Sequence, residues 1–195
     1  MELICGFVFE HSSAELEAVY NSLTSSRRER IDRLALKEDR YRSLLAELLA
    51  RRLLDRMGSK AQIESDQEGR PYLSEKGLFI SLSHSADAAV CVIDKKPVGV
   101  DVEKLRPVKR RLAERVCTPE EREYVLGSET GEALYGEAVL RFFEVWTAKE
   151  AYFKSLGEGN FSPVKINTLT LDRQTTREGE YVITVINRKQ DIKRD

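Results

Sequence analysis

Val98-Gly99-Val100-Asp101-Val102-Glu103 alternates apolar and acidic residues with a period of two, the pattern of a β-strand with Asp101 and Glu103 on one face and Val100 and Val102 on the other. An edge strand with one solvated face would show the same pattern, and this stretch alone leaves that reading open. Phe142-Phe143-Glu144-Val145-Trp146-Thr147-Ala148-Lys149-Glu150-Ala151-Tyr152-Phe153-Lys154 reads instead as a helix. At about 100° per residue, Val139, Phe142, Phe143, Trp146 and Phe153 share one apolar arc, and Glu150 falls inside it. A carboxylate on a buried face should be neutralised, paired with Lys154 one turn on, or bound to a metal.

If strand and helix meet, Asp101, Glu103 and Glu150 converge. Two carboxylates about 4 Å apart repel by roughly 4 kcal/mol at an effective dielectric near 20. That is a large share of a total stability on the order of 5–15 kcal/mol. A divalent cation turns the repulsion into attraction, and an all-oxygen set suits Mg²⁺, with Mn²⁺ as a substitute, better than zinc. Such a site is suited to a phosphate ester.

Gly99-Val100-Asp101-Val102-Glu103-Lys104 and Trp146-Thr147-Ala148-Lys149-Glu150-Ala151-Tyr152-Phe153-Lys154 together resemble the paired signature of the 4′-phosphopantetheinyl transferases of the larger, Sfp type. Gly69-Arg70-Pro71 and Ser83-His84-Ser85 match that family in order and approximate spacing, and the resemblance runs from about Arg27 to Pro163. It implies an α+β fold of two similar α/β lobes, a pseudo-dimer, each a small antiparallel sheet packed with a long helix. The active site would lie at the lobe interface, with the lobes covering residues 1–97 and 98–195. The implied reaction moves 4′-phosphopantetheine from coenzyme A to a serine of an acyl or peptidyl carrier protein and releases adenosine 3′,5′-bisphosphate.

The resemblance also implies site residues. Asp101, Glu103 and Glu150 would hold Mg²⁺, and Glu150 and Lys154 would be catalytic, with Lys154 stabilising the leaving phosphate. Arg27 and Arg30 fall near the positions that hold the 3′-phosphate of coenzyme A. Ser43, Arg70, Ser83, His84, Lys149 and Lys154 complete the coenzyme-binding set, with Lys149 and Lys154 approaching the phosphates from opposite sides of Glu150. Two alternatives stand beside this reading: a Mg²⁺-dependent phosphohydrolase using the same carboxylates, and a non-catalytic carrier-binding relative. The sequence does not distinguish fatty-acid, polyketide and nonribosomal-peptide carriers.

Bulk properties are compatible with this. With 195 residues and 41% hydrophobic content the chain can build one generous core or two small ones. Its 32 Lys and Arg against 33 Asp and Glu argue against a dedicated nucleic-acid binder. No apolar run has the length of a membrane span, and the N-terminus lacks the pattern of a signal peptide, so a cytoplasmic protein is expected; the resemblance implies a monomer rather than a dimer. Cys5, Cys91 and Cys117 are widely spaced and suggest neither a disulfide framework nor a zinc site.

Along the chain, Leu3 to Glu10 reads as a strand, part of Ser13 to Leu23 as a helix, and Lys37 to Arg56 as a long helix closed by Met57-Gly58. Lys37-Glu38-Asp39-Arg40-Tyr41-Arg42-Ser43-Leu44-Leu45 loosely echoes Lys149 to Leu156, as two related halves would. Leu78 to Leu82 reads as a strand interrupted by Ser83 to Asp87 and resumed over Ala88 to Ile93. Asp94-Lys95-Lys96-Pro97 then reads as a hairpin turn that places His84 and Asp101 in one antiparallel meander. Thr118-Pro119-Glu120-Glu121 is a capping-box helix start. Ile166 to Leu171 and Glu180 to Ile186 alternate as two strands. Beyond them the family continues with another strand pair, whereas Arg188 to Asp195 reads as a charged tail.

Overall fold

In the computed structural model, which describes residues 1–128, 130–157 and 159–188, the alternating stretches become two three-stranded antiparallel sheets. The chain opens with β1 (Glu2–Phe7), then α1 (Ser13–Asn21), α2 (Ser25–Asp32) and α3 (Lys37–Arg56). A small hairpin, β2 (Ile63–Ser65) and β3 (Pro71–Leu73), leads into β4 (Phe79–Ser85) and β5 (Ala88–Asp94). The remainder runs through β6 (Val98–Lys104), β7 (Val108–Lys109), α4 (Arg110–Val116), α5 (Pro119–Leu126), β8 (Ala133–Leu134) and α6 (Gly136–Leu156). It ends with β9 (Gln174–Glu178) and β10 (Tyr181–Asn187). The first sheet has the order β1-β5-β4 and the second β6-β10-β9.

Strand periodicity explains the layering. Ala89, Cys91 and Ile93 of β5 face the core built on Leu45, Leu49 and Leu53 of α3. The alternate residues Ala88, Val90 and Val92 face Val98, Val100 and Val102 of β6 and Tyr181, Ile183 and Val185 of β10. β5 is therefore buried along its whole length. The three cysteines are free thiols, two of them fully buried, and act as small apolar fillers.

Three sequence expectations need correction. The strand reading over Leu78 to Leu82 does not break at Ser83, because β4 continues through Ser85. Its serines reach across to β6, which lies alongside in the same direction. Val100 N–H donates to Ser81 Oγ (3.0 Å), Ser83 Oγ donates to Asp101 Oδ1 (2.6 Å), and Ser85 Oγ donates to Glu103 Oε2 (2.7 Å) and accepts from Lys104 N–H (3.2 Å). These side chains join the two sheets where no backbone ladder does. Second, Asp94 to Pro97 is no hairpin within one sheet: β6 pairs with β10, Asp101 opposite Thr184, and not with β5. Pro97 has no N–H to donate, and its carbonyl accepts from Arg188 N–H (2.9 Å). Third, Ile166 to Leu171 forms a 3-10 turn (Thr168–Thr170) and no strand, and the strand before β10 is the exposed β9.

The helix α6 lies on the other face of the second sheet, and one residue permits its approach. A Cβ on Gly99 would stand 1.8 Å from the Ala151 carbonyl oxygen and 2.7 Å from Ser155 N. Backbone touches backbone here. The small residues Ala148, Ala151 and Ser155 are buried along the helix, while Trp146 and Phe153 lie apart from them against Phe161, at 5.9 and 5.1 Å between ring centroids. At Gly99 the stripe that meets the sheet is thus made of small side chains, while Phe142 and Phe143 of the predicted apolar arc are buried in the core that includes Val182 of β10.

Overpacking at such a contact costs about 1–3 kcal/mol, and more where backbone must move. Gly99→Ala should therefore lower the unfolding free energy by about 2 kcal/mol or more in a denaturant titration. A loss under about 0.5 kcal/mol would show that helix and strand are free to separate.

Candidate active site

The close approach of α6 sets Asp101 and Glu103 of β6 across from Glu150 and Lys154, which are one helical turn apart. Asp101 is buried. Its Oδ1 accepts from Ser83 Oγ (2.6 Å) and Lys154 Nζ (2.8 Å), while its Oδ2 is buried with no hydrogen-bond partner. Burial pushes the Asp101 carboxyl up, against the pull of Lys154 and Ser83. Glu103 is half-buried and its Oε2 accepts from Ser85 Oγ (2.7 Å) and Arg106 Nη1 (2.8 Å). Glu150 is pushed up to about 7, first by burial and then by the charge of Asp101, with Lys154 opposing and Glu103 adding. The three acids expected from sequence therefore feel one another.

A cavity of about 550 Å³ is lined by Glu150, Lys154, Phe153 and Val98 together with Arg30 and Arg70. Residues from both sheets and from the β2–β3 turn line it. Arg70 is fixed in the wall: its guanidinium lies 5.5 Å from the Phe153 ring centroid, pairs with Glu68 (3.1 Å) and donates to the carbonyls of Gly157 and Gly159. Gly69, at φ +81°, lets the turn pass beside Arg30, where a Cβ would fall 2.4 Å from Arg30 Nη1. Burial, then the neighbouring Arg27 charge, lowers the Arg30 pKa.

Other expected residues lie elsewhere. Arg27 does not reach the cavity: its buried guanidinium pairs with Glu47, Nε at 2.6 Å, and donates to Ser65 Oγ at 2.8 Å. Ser43, in the second turn of α3, is half-buried and is not part of the cavity wall. His84 follows Ser83 near the end of β4 and is exposed, with the charges of Arg42 and Lys154 nearby, and it is not part of the cavity wall.

Lys149 requires the largest correction. It is fully buried, pairing with Glu121 at 2.6 Å and donating to the carbonyls of Pro163 (2.8 Å) and Ile166. All three ammonium protons are spent, so nothing remains for a phosphate. Glu121 is also saturated, accepting from Thr118 N–H, Thr168 N–H and Thr168 Oγ1, each at 2.8 Å. This network holds Ile166 to Leu171 out of a strand, and it gives the capping-box glutamate a second role inside the fold.

Asp101 Oδ2 without a partner, and a Glu150 carboxylate that accepts no hydrogen bond among the described residues, offer hard oxygen donors suited to a divalent cation. Among the described residues, however, no three His, Cys, Asp or Glu side chains stand close enough together to hold a metal as they lie. Lys154 supplies the positive charge beside Asp101.

Sequence reasoning missed Arg188, which lines the cavity from the end of β10. Its only signal is register: it follows Asn187, which pairs with Val98, and so arrives opposite Pro97.

Two stability tests follow. Lys149→Met strands a buried Glu121 and should cost about 3–5 kcal/mol, read by chemical denaturation; a cost near that of a surface lysine would show that the pair is not buried in solution. Glu150 binds its proton more tightly in the folded than in the unfolded chain. Metal-free protein must then lose stability as pH rises from about 4.5, the unperturbed value, to about 7. Glu150→Gln lacks this loss. Melting curves in a chelator should coincide near pH 4 and separate above pH 7 with the variant higher; the opposite order at pH 8 would disprove the shift.

The comparisons agree with the signature residues. Residues 97–193 match the family model of the 4′-phosphopantetheinyl transferase superfamily. The chain is 30% identical to 4′-phosphopantetheinyl transferase gsp of Aneurinibacillus migulanus over 182 residues, covering 89% of this chain and 72% of that protein. It is 27% identical to 4′-phosphopantetheinyl transferase Sfp of Bacillus subtilis, covering 78% of this chain and 68% of that protein. For 4′-phosphopantetheinyl transferase HetI of Nostoc the identity is 31%, over 77% and 66% of the two chains. With these relatives matching over most of its length, and with Glu150 and Lys154 of the paired signature lining one cavity and Lys154 paired with Asp101, the chain belongs to the 4′-phosphopantetheinyl transferase superfamily.

Proposed function

We propose that the protein transfers 4′-phosphopantetheine from coenzyme A to a serine hydroxyl of an acyl or peptidyl carrier protein and releases adenosine 3′,5′-bisphosphate. The observation that carries this reading is one cavity lined both by Glu150 and Lys154 and by the arginines Arg30, Arg70 and Arg188, a size and charge suited to a polyanionic substrate. The reading treats residues 1–97 and 98–195 as two lobes of a pseudo-dimer with the site between them. In support, one sheet is built from residues 2–94 and backed by the 20-residue α3, and the other from residues 98–187 and backed by the 21-residue α6.

In this mechanism the serine oxygen attacks the phosphorus that carries the pantetheine arm. The bond from that phosphorus to the bridging oxygen breaks, and the nucleotide keeps the bridging oxygen. Glu150, which lines the cavity one turn before Lys154, takes the serine proton. Lys154, already oriented by Asp101 and Ser83, places its charge against the departing phosphate. Asp101, Glu103 and Glu150 would hold Mg²⁺, which when bound would neutralise charge on the pyrophosphate. Arg30 and Arg70, which line the same cavity, hold the coenzyme. We place the enzyme in the cytoplasm, working as a monomer; among the described residues no helix is long and apolar enough to cross a membrane.

The deciding experiment incubates the protein with an apo carrier protein, coenzyme A and Mg²⁺ and weighs the carrier by mass spectrometry. The carrier should gain one phosphopantetheine. Asp101→Ala and Glu150→Gln should each reduce the rate at least a hundredfold while keeping a native circular dichroism spectrum. Phosphate or nucleotide release without a heavier carrier would instead identify a hydrolase, and full activity in both variants would refute the assigned roles.

A further inference from the structure

The three acids of the candidate site share two of the protein's own cations. Asp101 has Lys154, at 2.8 Å. Glu103 has Arg106, whose Nη1 donates to Glu103 Oε2 at 2.8 Å and to the Lys104 carbonyl at 3.1 Å. Glu150 has neither ion pair nor hydrogen bond among the described residues. Lys104, next to Glu103 in sequence, is engaged elsewhere, with its ammonium turned to Asp87 (3.9 Å) and Glu180 (3.6 Å). A divalent cation held by these carboxylates must therefore compete with Lys154 or Arg106 for its ligands.

The two differ in what release costs. Lys154 is 28% exposed, is held by Ser83 as well as by Asp101, and lines the cavity. Arg106 is 57% exposed, on the connection between β6 and β7, with its guanidinium 5.0 Å from the Phe143 ring centroid. A long, exposed side chain that leaves its partner is taken up by water, so little is lost. What lies on its far side explains why it rests on Glu103. There Arg106 lines a second cavity, of about 610 Å³, in which the other charged residues are Lys109, Arg111 and Arg115, all basic. Like charge on one side and a carboxylate on the other hold the guanidinium at Glu103. Glu103 does not depend on Arg106 for its aim, because Ser85 Oγ donates to the same Oε2 at 2.7 Å.

Resting on the cation site of the transferase reading above, we propose that Arg106 is a latch on Glu103: a positioning residue that occupies the carboxylate while the cation is absent and weakens cation binding by competing for it. Removing its charge leaves Glu103 aimed by Ser85 and free to serve a metal.

The test is titration of the chelator-treated full chain with Mn²⁺, the free ion being read from its electron paramagnetic resonance signal. Arg106→Gln should bind Mn²⁺ about fivefold more tightly, the upper range for one exposed ion pair, and the gain should shrink at high salt. Arg106→Lys, which keeps the charge, should stay within about twofold of wild type. Arg111→Gln is the control: it removes a charge from the same second cavity but no partner of Glu103, and its affinity should also be unchanged. Equal or weaker binding by Arg106→Gln, an equal gain in Arg106→Lys or Arg111→Gln, or no Mn²⁺ binding by any of these proteins overturns the latch. The carrier assay, which decides the transferase reading, is judged separately from each of these outcomes.

Discussion

The contact of Gly99 with the Ala151 carbonyl sets the geometry on which the rest depends. With the next strand residue on that side being Asp101, and the helix residue before Ala151 being Glu150, two carboxylates are forced toward one another by a backbone contact that no side chain can cushion. A larger residue at 99 would move α6 outward and relieve the repulsion. The closeness that strains the acids therefore also creates the site. β6 is able to accept this because its other face is filled by valines against β5 and β10, so strand and helix are fixed from both sides.

Two lysines on one helix show how surroundings decide the role of a charge. Lys149 and Lys154 are both within the motif that suggested phosphate binding, yet only Lys154 reaches the cavity. Lys149 projects to the interior, where a carboxylate and two carbonyls leave it no free proton. A buried ion pair of this kind gains little over an apolar pair of the same volume, but each partner makes the loss of the other expensive. Its effect is to tie α6 to α5 and to the turn after Pro163. The Arg27–Glu47 pair does the equivalent work between α2 and α3.

Local periodicity was enough to read much of the chain. The acidic face of β6, the long helix at Lys37–Arg56 and the capping-box start of α5 all depend on residues within a few positions of one another. What escaped depends on partners far along the chain. The seam of Ser81, Ser83 and Ser85 looks like a break in a strand until β6 lies beside it. The Lys149 network needs Glu121 and Thr168, and the position of Arg188 needs the β6–β10 register. Helical wheels have a similar blind spot: they weigh hydrophobicity, so they choose Trp146 and Phe153 over the alanines that permit the closest approach.

The free-energy balance of the site ties these features together. Asp101 Oδ2 is buried without a partner, Glu150 is disfavoured as an anion by burial and by Asp101, and Arg30 is partly stripped of water. Each of these costs stability in the free protein. None could be maintained by the site alone, and the surrounding elements hold them: the serine seam fixes one wall, the saturated Lys149 network fixes the helix, and the valine core backs the strand. A carboxylate disfavoured as an anion and a cation partly stripped of water in the wall of one cavity are opposite demands. A single ligand meets both only if it carries anionic groups and brings, or is joined by, a cation beside the acid. Coenzyme A joined by a divalent metal would meet both, whereas a phosphate ester without a cation would meet only one.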